Sequence, residues 1–144
     1  MTARPRARTL MTTAALLLLA ACSSMGGGAA ASAGLKMSGD QEVPPVTTAA
    51  TGTSMIKIDG DGSVSGNITT TCMDCMMAHI HVGALGKNGP VIVPLVKTAD
   101  GVWSVPPGAK LTADQLKAFQ AGELYVNAHT PTNKGGEIRT QLKP

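Results

Sequence analysis

Between Cys72 and Gly83 the chain reads CMDCMMAHIHVG, two cysteines, three methionines and two histidines in twelve residues. Outside it lie one more histidine, His129, and one more cysteine, Cys22. In an extended strand residues i and i+2 project from one face, so His79 and His81 can offer two imidazoles to one ion. His129 ends the stretch ELYVNAH, where alternation puts it on the face of Tyr125 and Asn127. Were the two strands neighbours, three imidazoles would converge. That donor set suits copper or zinc and leaves a position for water or a thiolate. Cys72, Cys75, Met73, Met76 and Met77 add soft sulfur, which favours Cu(I) when the cysteines are reduced. Asn127 and Glu137 are the expected outer acceptors that hold the imidazole tautomers. A shared ion needs nitrogens about 2 Å from it, so rings of His79 and His129 more than about 8 Å apart would weaken the case for the site.

The same side chains have a plainer reading. Histidines on the polar face of a strand commonly donate to loop carbonyls, at about 0.5–1.5 kcal/mol for each bond. Cys72 and Cys75 are read as a small disulfide, as thiolate ligands or as a redox pair. The βαβ context that activates a thioredoxin-like cysteine is missing. The methionines can fill a core short of aromatics. No nucleophile elbow, phosphate loop or HExxH motif occurs. Asp40 and Glu42 beside VPP read as surface carboxylates able to pair with Arg139.

The elements that must position these groups are mostly of period two. TSMIKIDGDGSVSGNITTT reads as strand, tight turn and strand, with Asp59 to Gly62 in the turn. AHIHV puts Ala78, Ile80 and Val82 opposite His79 and His81. In VIVPLV, Pro94 has no N–H for a ladder, which predicts an edge or a bulge. VWSV is a further strand. LTADQLKAFQAG is the one helix: Thr112 and Gln115 make a capping box, Leu111 and Leu116 a hydrophobic staple, and Gly122 a stop. ELYVNAH and EIRTQL close the chain as strands. About seven short strands and one short helix predict an all-β domain, an antiparallel Greek-key β-sandwich or partly closed barrel.

The ends bear on location. Arg4, Arg6 and Arg8 precede the short apolar run Met11 to Ala21, the layout of an export signal and too short to span a bilayer. The junction LAAC resembles a bacterial lipobox, which implies a lipoprotein signal over 1–21 and a lipidated N-terminal Cys22. Several acyl chains on one residue anchor stably to a membrane. Ser23 resembles the sorting residue of outer-membrane lipoproteins, facing the periplasm or the surface. Small uncharged residues up to Gly34 make a flexible linker over 22–34. The folded domain is then 35–144. The formal charge of +3 equals the three arginines of the leader, and the rest has nine basic and nine acidic residues. A neutral domain gives no reason to expect nucleic acid.

Four segments, SGDQEVPPV, AHIHVGALGKNGPVIVPL, LTADQLKAFQAGELYVNAHT and GGEIRTQL, resemble the CHRD domain, first described in chordin and widespread in bacterial secreted proteins. They lie in the family's order and span nearly the whole mature chain. The resemblance implies an extracytoplasmic β-domain, immunoglobulin-like or superoxide-dismutase-like, without a defined biochemical activity. Its pattern covers His79, His81, Asn127, His129, Glu137 and Arg139. Thr140 stands where the family usually has glycine. The HIH strand is also similar to copper-zinc superoxide dismutase, but this chain lacks a fourth histidine, so dismutase activity does not carry over.

These readings give an envelope-anchored binding module, not an enzyme. Its most specific function is periplasmic copper or zinc binding by His79, His81 and His129, with Cys72 and Cys75 assisting. The alternative is an adhesion or structural module that binds protein or glycan and whose histidines are structural. A small copper redox enzyme is the third reading.

Overall fold

The structure is a computed structural model that describes residues 1–2, 34–72 and 74–144. The signal expected over 1–21, the lipidated Cys22 and the linker up to residue 33 fall outside the described residues, residues 1–2 excepted, as does Met73. No helix among the described residues is long and apolar enough to cross a membrane.

The described domain has eleven short strands. They are β1 (Leu35–Ser38), β2 (Thr51–Ser54), β3 (Lys57–Ile58), β4 (Val64–Ser65), β5 (Asn67–Thr70), β6 (Met77–Val82), β7 (Val91–Pro94), β8 (Val96–Ala99), β9 (Val102–Ser104), β10 (Leu124–His129) and β11 (Ile138–Gln141). One α-helix, α1 (Ala113–Gln120), lies between β9 and β10. Nine strands form one antiparallel sheet in the order β7-β6-β10-β11-β1-β2-β5-β9-β8, and β3-β4 form a separate hairpin. The predicted runs appear as strands, three of them break in two, and Leu35–Ser38 adds one that was not predicted, so about seven became eleven.

Only Leu95 separates β7 from β8, yet the two lie at opposite ends of the nine-strand order. The segment from Val91 to Ala99 therefore pairs with β6 through its first half and with β9 through its second, so the sheet curls into a nearly closed barrel. Pro94 stands at this corner, where a residue without an amide proton ends one ladder. The pairing of β6 with β7 is irregular at Ile80/His81. Taking the bent segment as one strand, β10 returns beside β6 to give the spatial order four-one-two-three of a Greek key.

The helix forms as its ends predict. Thr112 accepts from the Gln115 amide while the Gln115 side chain accepts from the Thr112 amide, and Gly122 takes a positive φ of 73°. Inside the barrel lie Met37, Ile68, Ala78, Ile80, Trp103, Leu124, Val126, Ala128, Ile138 and Leu142. They come largely from the apolar side of each alternating strand. The opposite side departs from expectation: every residue of β10 is buried, polar ones included. Loops fold over the outer face of β6, β10 and β11, so the face that carries the histidines is covered as well.

Candidate metal centre

Pairing of β6 with β10 sets the site. The antiparallel register puts His81 opposite Tyr125, His79 opposite Asn127, and Met77 opposite His129. Directly opposed residues share a face, so the two histidines of β6 and the one of β10 all project outward from the barrel. One ring nitrogen from each lies within 4.8 Å of one from every other. The closest pair is His79 Nδ1 and His129 Nε2, at 3.1 Å. At that distance His79 Nδ1 donates a hydrogen bond to the unprotonated His129 Nε2. Two nitrogens bound to one ion at tetrahedral angles stand roughly 3.4 Å apart, so an ion could replace the shared proton with little movement. Ring centroids lie 4.9 to 6.0 Å apart.

Two rings are oriented from behind. His81 Nδ1 donates to the Gly89 carbonyl at 2.9 Å, and His129 Nδ1 donates to the Lys134 carbonyl at 3.0 Å. A carbonyl only accepts, so both rings carry their proton on Nδ1 and keep a lone pair on Nε2. His81 Nε2 is buried without a hydrogen-bond partner. That is the arrangement of histidine ligands whose second nitrogen is fixed by an outer acceptor. His79 is the partly exposed member and the side by which an ion would enter.

The rings are electrically ready. Burial pushes His79 down to about 4, and any charge on His129 and His81 adds to the push. Burial also lowers His81 and His129, against the pull of their carbonyl bonds. All three are neutral at pH 7, as ligation requires.

The glycine-rich loop after β6 supplies the His81 anchor. A side chain at Gly89 would run into the Val82 carbonyl, so only glycine lets this backbone lie against the strand. Tyr125 stacks on the His81 ring with centroids 4.7 Å apart, and its hydroxyl accepts from the Gly89 amide. The Arg139 guanidinium sits 3.3 Å from the Tyr125 ring centroid on β11 and donates to the Lys87 carbonyl and Asn88 Oδ1. A column of imidazole, phenol and guanidinium thus clamps the loop that holds His81. Sequence reasoning assigned Tyr125 and Arg139 no role at the site. The available signal was alternation: Tyr125 lies on the His129 face, and Asn127 pairs with Arg139 across β10 and β11.

Three expectations are corrected. Of the alternatives for Cys72 and Cys75, the disulfide is the one present, and both residues are buried in the apolar core. A disulfide sulfur is not a thiolate, so the two cysteines are not ligands here. Glu137 does not touch the imidazoles. It accepts from Thr48, Thr130 and Asn133, and so shapes the turn that presents the Lys134 carbonyl. The Thr48 bond leads in lowering its pKa. Asn127 stays beside the rings as expected, its side chain opposing the lowering of the His81 pKa, and it also donates to the Gly135 carbonyl. Glu42 and Arg139 are also not a surface pair: they are 4% and 1% exposed, and a side chain on Gly136 would strike the Glu42 carboxylate. Thr140 sits in regular strand opposite Val126, and among the described residues no non-glycine has positive φ.

The fold and site together define a small antiparallel β-barrel whose outer face carries a convergent three-histidine cluster. The model of the CHRD domain family matches residues 34–142, and the chain belongs to that family. It is a family of binding domains, not enzymes. No curated protein and no solved structure is significantly similar to the chain.

Proposed function

We propose that this chain is an envelope-anchored module that binds copper or zinc through His79, His81 and His129, for metal capture or delivery in the periplasm. One observation carries the reading: three neutral imidazoles present nitrogens within 4.8 Å of one another, two of them are locked by backbone carbonyls so that their Nε2 atoms are unprotonated, and the buried Nε2 of His81 has no hydrogen-bond partner. Structural histidines need no such convergence. The anchor rests on the LAAC junction and the small-residue linker.

The test is metal content. The full chain, purified in detergent and loaded with Cu(I), Cu(II) or Zn(II), takes up one ion, and the His79→Ala/His129→Ala variant takes up none. Equal content in the two proteins removes the site and leaves the adhesion reading. A Cys22→Ser variant that stays in the membrane fraction removes the lipid anchor.

A further inference from the structure

The outward positions of β6 and β10 carry the three histidines, Tyr125, Asn127 and Met77. On β6 the outward positions run Met77, His79, His81, so Met77 stands to His79 on one side as His81 does on the other. Across the ladder Met77 is the register partner of His129. Opposed positions of an antiparallel pair bring Cβ atoms within about 4.5–5.5 Å, so Met77 and His129 start as close neighbours on one face. A methionine side chain, with three rotatable bonds before its methyl, can turn its sulfur toward the ring nitrogens from there. Met77 is also 43% exposed, and a large apolar residue gains little from packing in such a place.

Among the described residues of the Cys72–Met77 stretch, the other soft sulfurs fall away. Cys72 and Cys75 are joined to each other and buried in the core. Met76, 53% exposed, precedes β6 and by alternation does not share the face of His79. Imidazoles alone serve zinc and copper alike, whereas a thioether is a soft donor that selects Cu(I).

We infer that Met77 is the fourth ligand of the histidine site and that its thioether makes the site selective for Cu(I) over Zn(II). The inference rests on the proposed metal site and adds to it the identity of the ion. The disulfide, whose Cys75 lies two residues before Met77, then holds the chain that enters β6, and so holds the start of the ligand strand.

The full chain in detergent is titrated with Cu(I) against a chromogenic Cu(I) chelator and with Zn(II) against a zinc indicator. Met77→Leu conserves volume at a half-exposed position, and Met76→Leu is its control. Met77→Leu should weaken Cu(I) binding by about tenfold or more and leave Zn(II) binding within about twofold, and Met76→Leu should change neither. X-ray absorption of the Cu(I)-loaded protein should show one sulfur in the copper shell, absent from Met77→Leu. If Met77→Leu binds Cu(I) as wild type does, while His79→Ala/His129→Ala binds none, the inference fails and the histidine site stands. If wild type binds neither ion, both fall.

Discussion

Replacing Glu42 with glutamine should alter stability in a pH-dependent way whose size follows from burial. Glu42 lies against Asn127, Arg139 and Gly136, 4% exposed, with Oε1 lacking a hydrogen-bond partner. Desolvation pushes its pKa from 4.5 up to about 7, against the pull of the Arg139 charge, the Asn127 side chain and the Val43 amide. An unfolded chain releases this proton near 4.5. Between those two values the folded protein therefore holds more protons than the unfolded one. The stabilisation from the protonated carboxyl is complete below about 4.5 and is lost as pH rises through about 7. At ~1.4 kcal/mol for each pH unit, the loss is on the order of 3 kcal/mol. Glutamine stays neutral throughout, so Glu42→Gln should gain on wild type by that amount between about pH 4.5 and 8. The histidines act in the opposite sense, because their lowered pKa values make stability rise with pH below 6.5. They are common to both proteins and cancel in the difference. Urea unfolding of the metal-free proteins across this range supplies the measurement. A wild-type-to-variant difference that does not move with pH would refute the reasoning, since it would mean that Arg139 keeps Glu42 ionised in the folded state.

The remaining expectations concern the site and its frame. Between about pH 7.5 and 6, three ordinary imidazoles would lose roughly fiftyfold in apparent metal affinity to protons. Because His79 sits at about 4 and its two neighbours are also lowered, the loss here should be under about fifteenfold, read by chelator competition, and a full fiftyfold drop would show the rings to be ordinary. The Cys72→Ser/Cys75→Ser variant should lose about 2 kcal/mol of stability, the chain-entropy value for so short a loop, while keeping its metal. Loss of the ion from a variant still folded by circular dichroism would return the sulfurs to the ligand set. Ile80→Ala empties a fully buried position between the two β6 histidines and should cost about 2–5 kcal/mol in denaturant unfolding. A cost under about 1 kcal/mol would mean that β6 does not pack as described.

Much of the local structure was legible because alternation and capping act over a few residues. The order Ala78-His79-Ile80-His81 specifies which side chains share a face, and Thr112 with Gln115 specifies where a helix begins. Pro94 announced an interrupted ladder for a covalent reason, the missing N–H. Residue types alone also made a metal reading available, since imidazoles two apart on a strand need no fold to share a direction. Burial was harder to read. Glu42 and Arg139 look like surface charges in a one-dimensional view, because burial depends on which loops fold over a face.

What the chain determined by itself, then, was the set of strands, their two faces, the helix and the supply of ligand atoms, all properties of neighbours in sequence. The meeting of His129 with His79 was decided only by tertiary structure. It depends on β10 returning fifty residues later to pair with β6 in one register, and a slip of one residue would turn His129 into the core. The acceptors that orient the rings are carbonyls of Gly89 and Lys134, and every residue carries a carbonyl, so no residue type marks them. The same holds for the cysteines: the sequence offers two sulfurs, and the path of the backbone between them decides that they bond to each other and leave the outer face to nitrogen and to Met77.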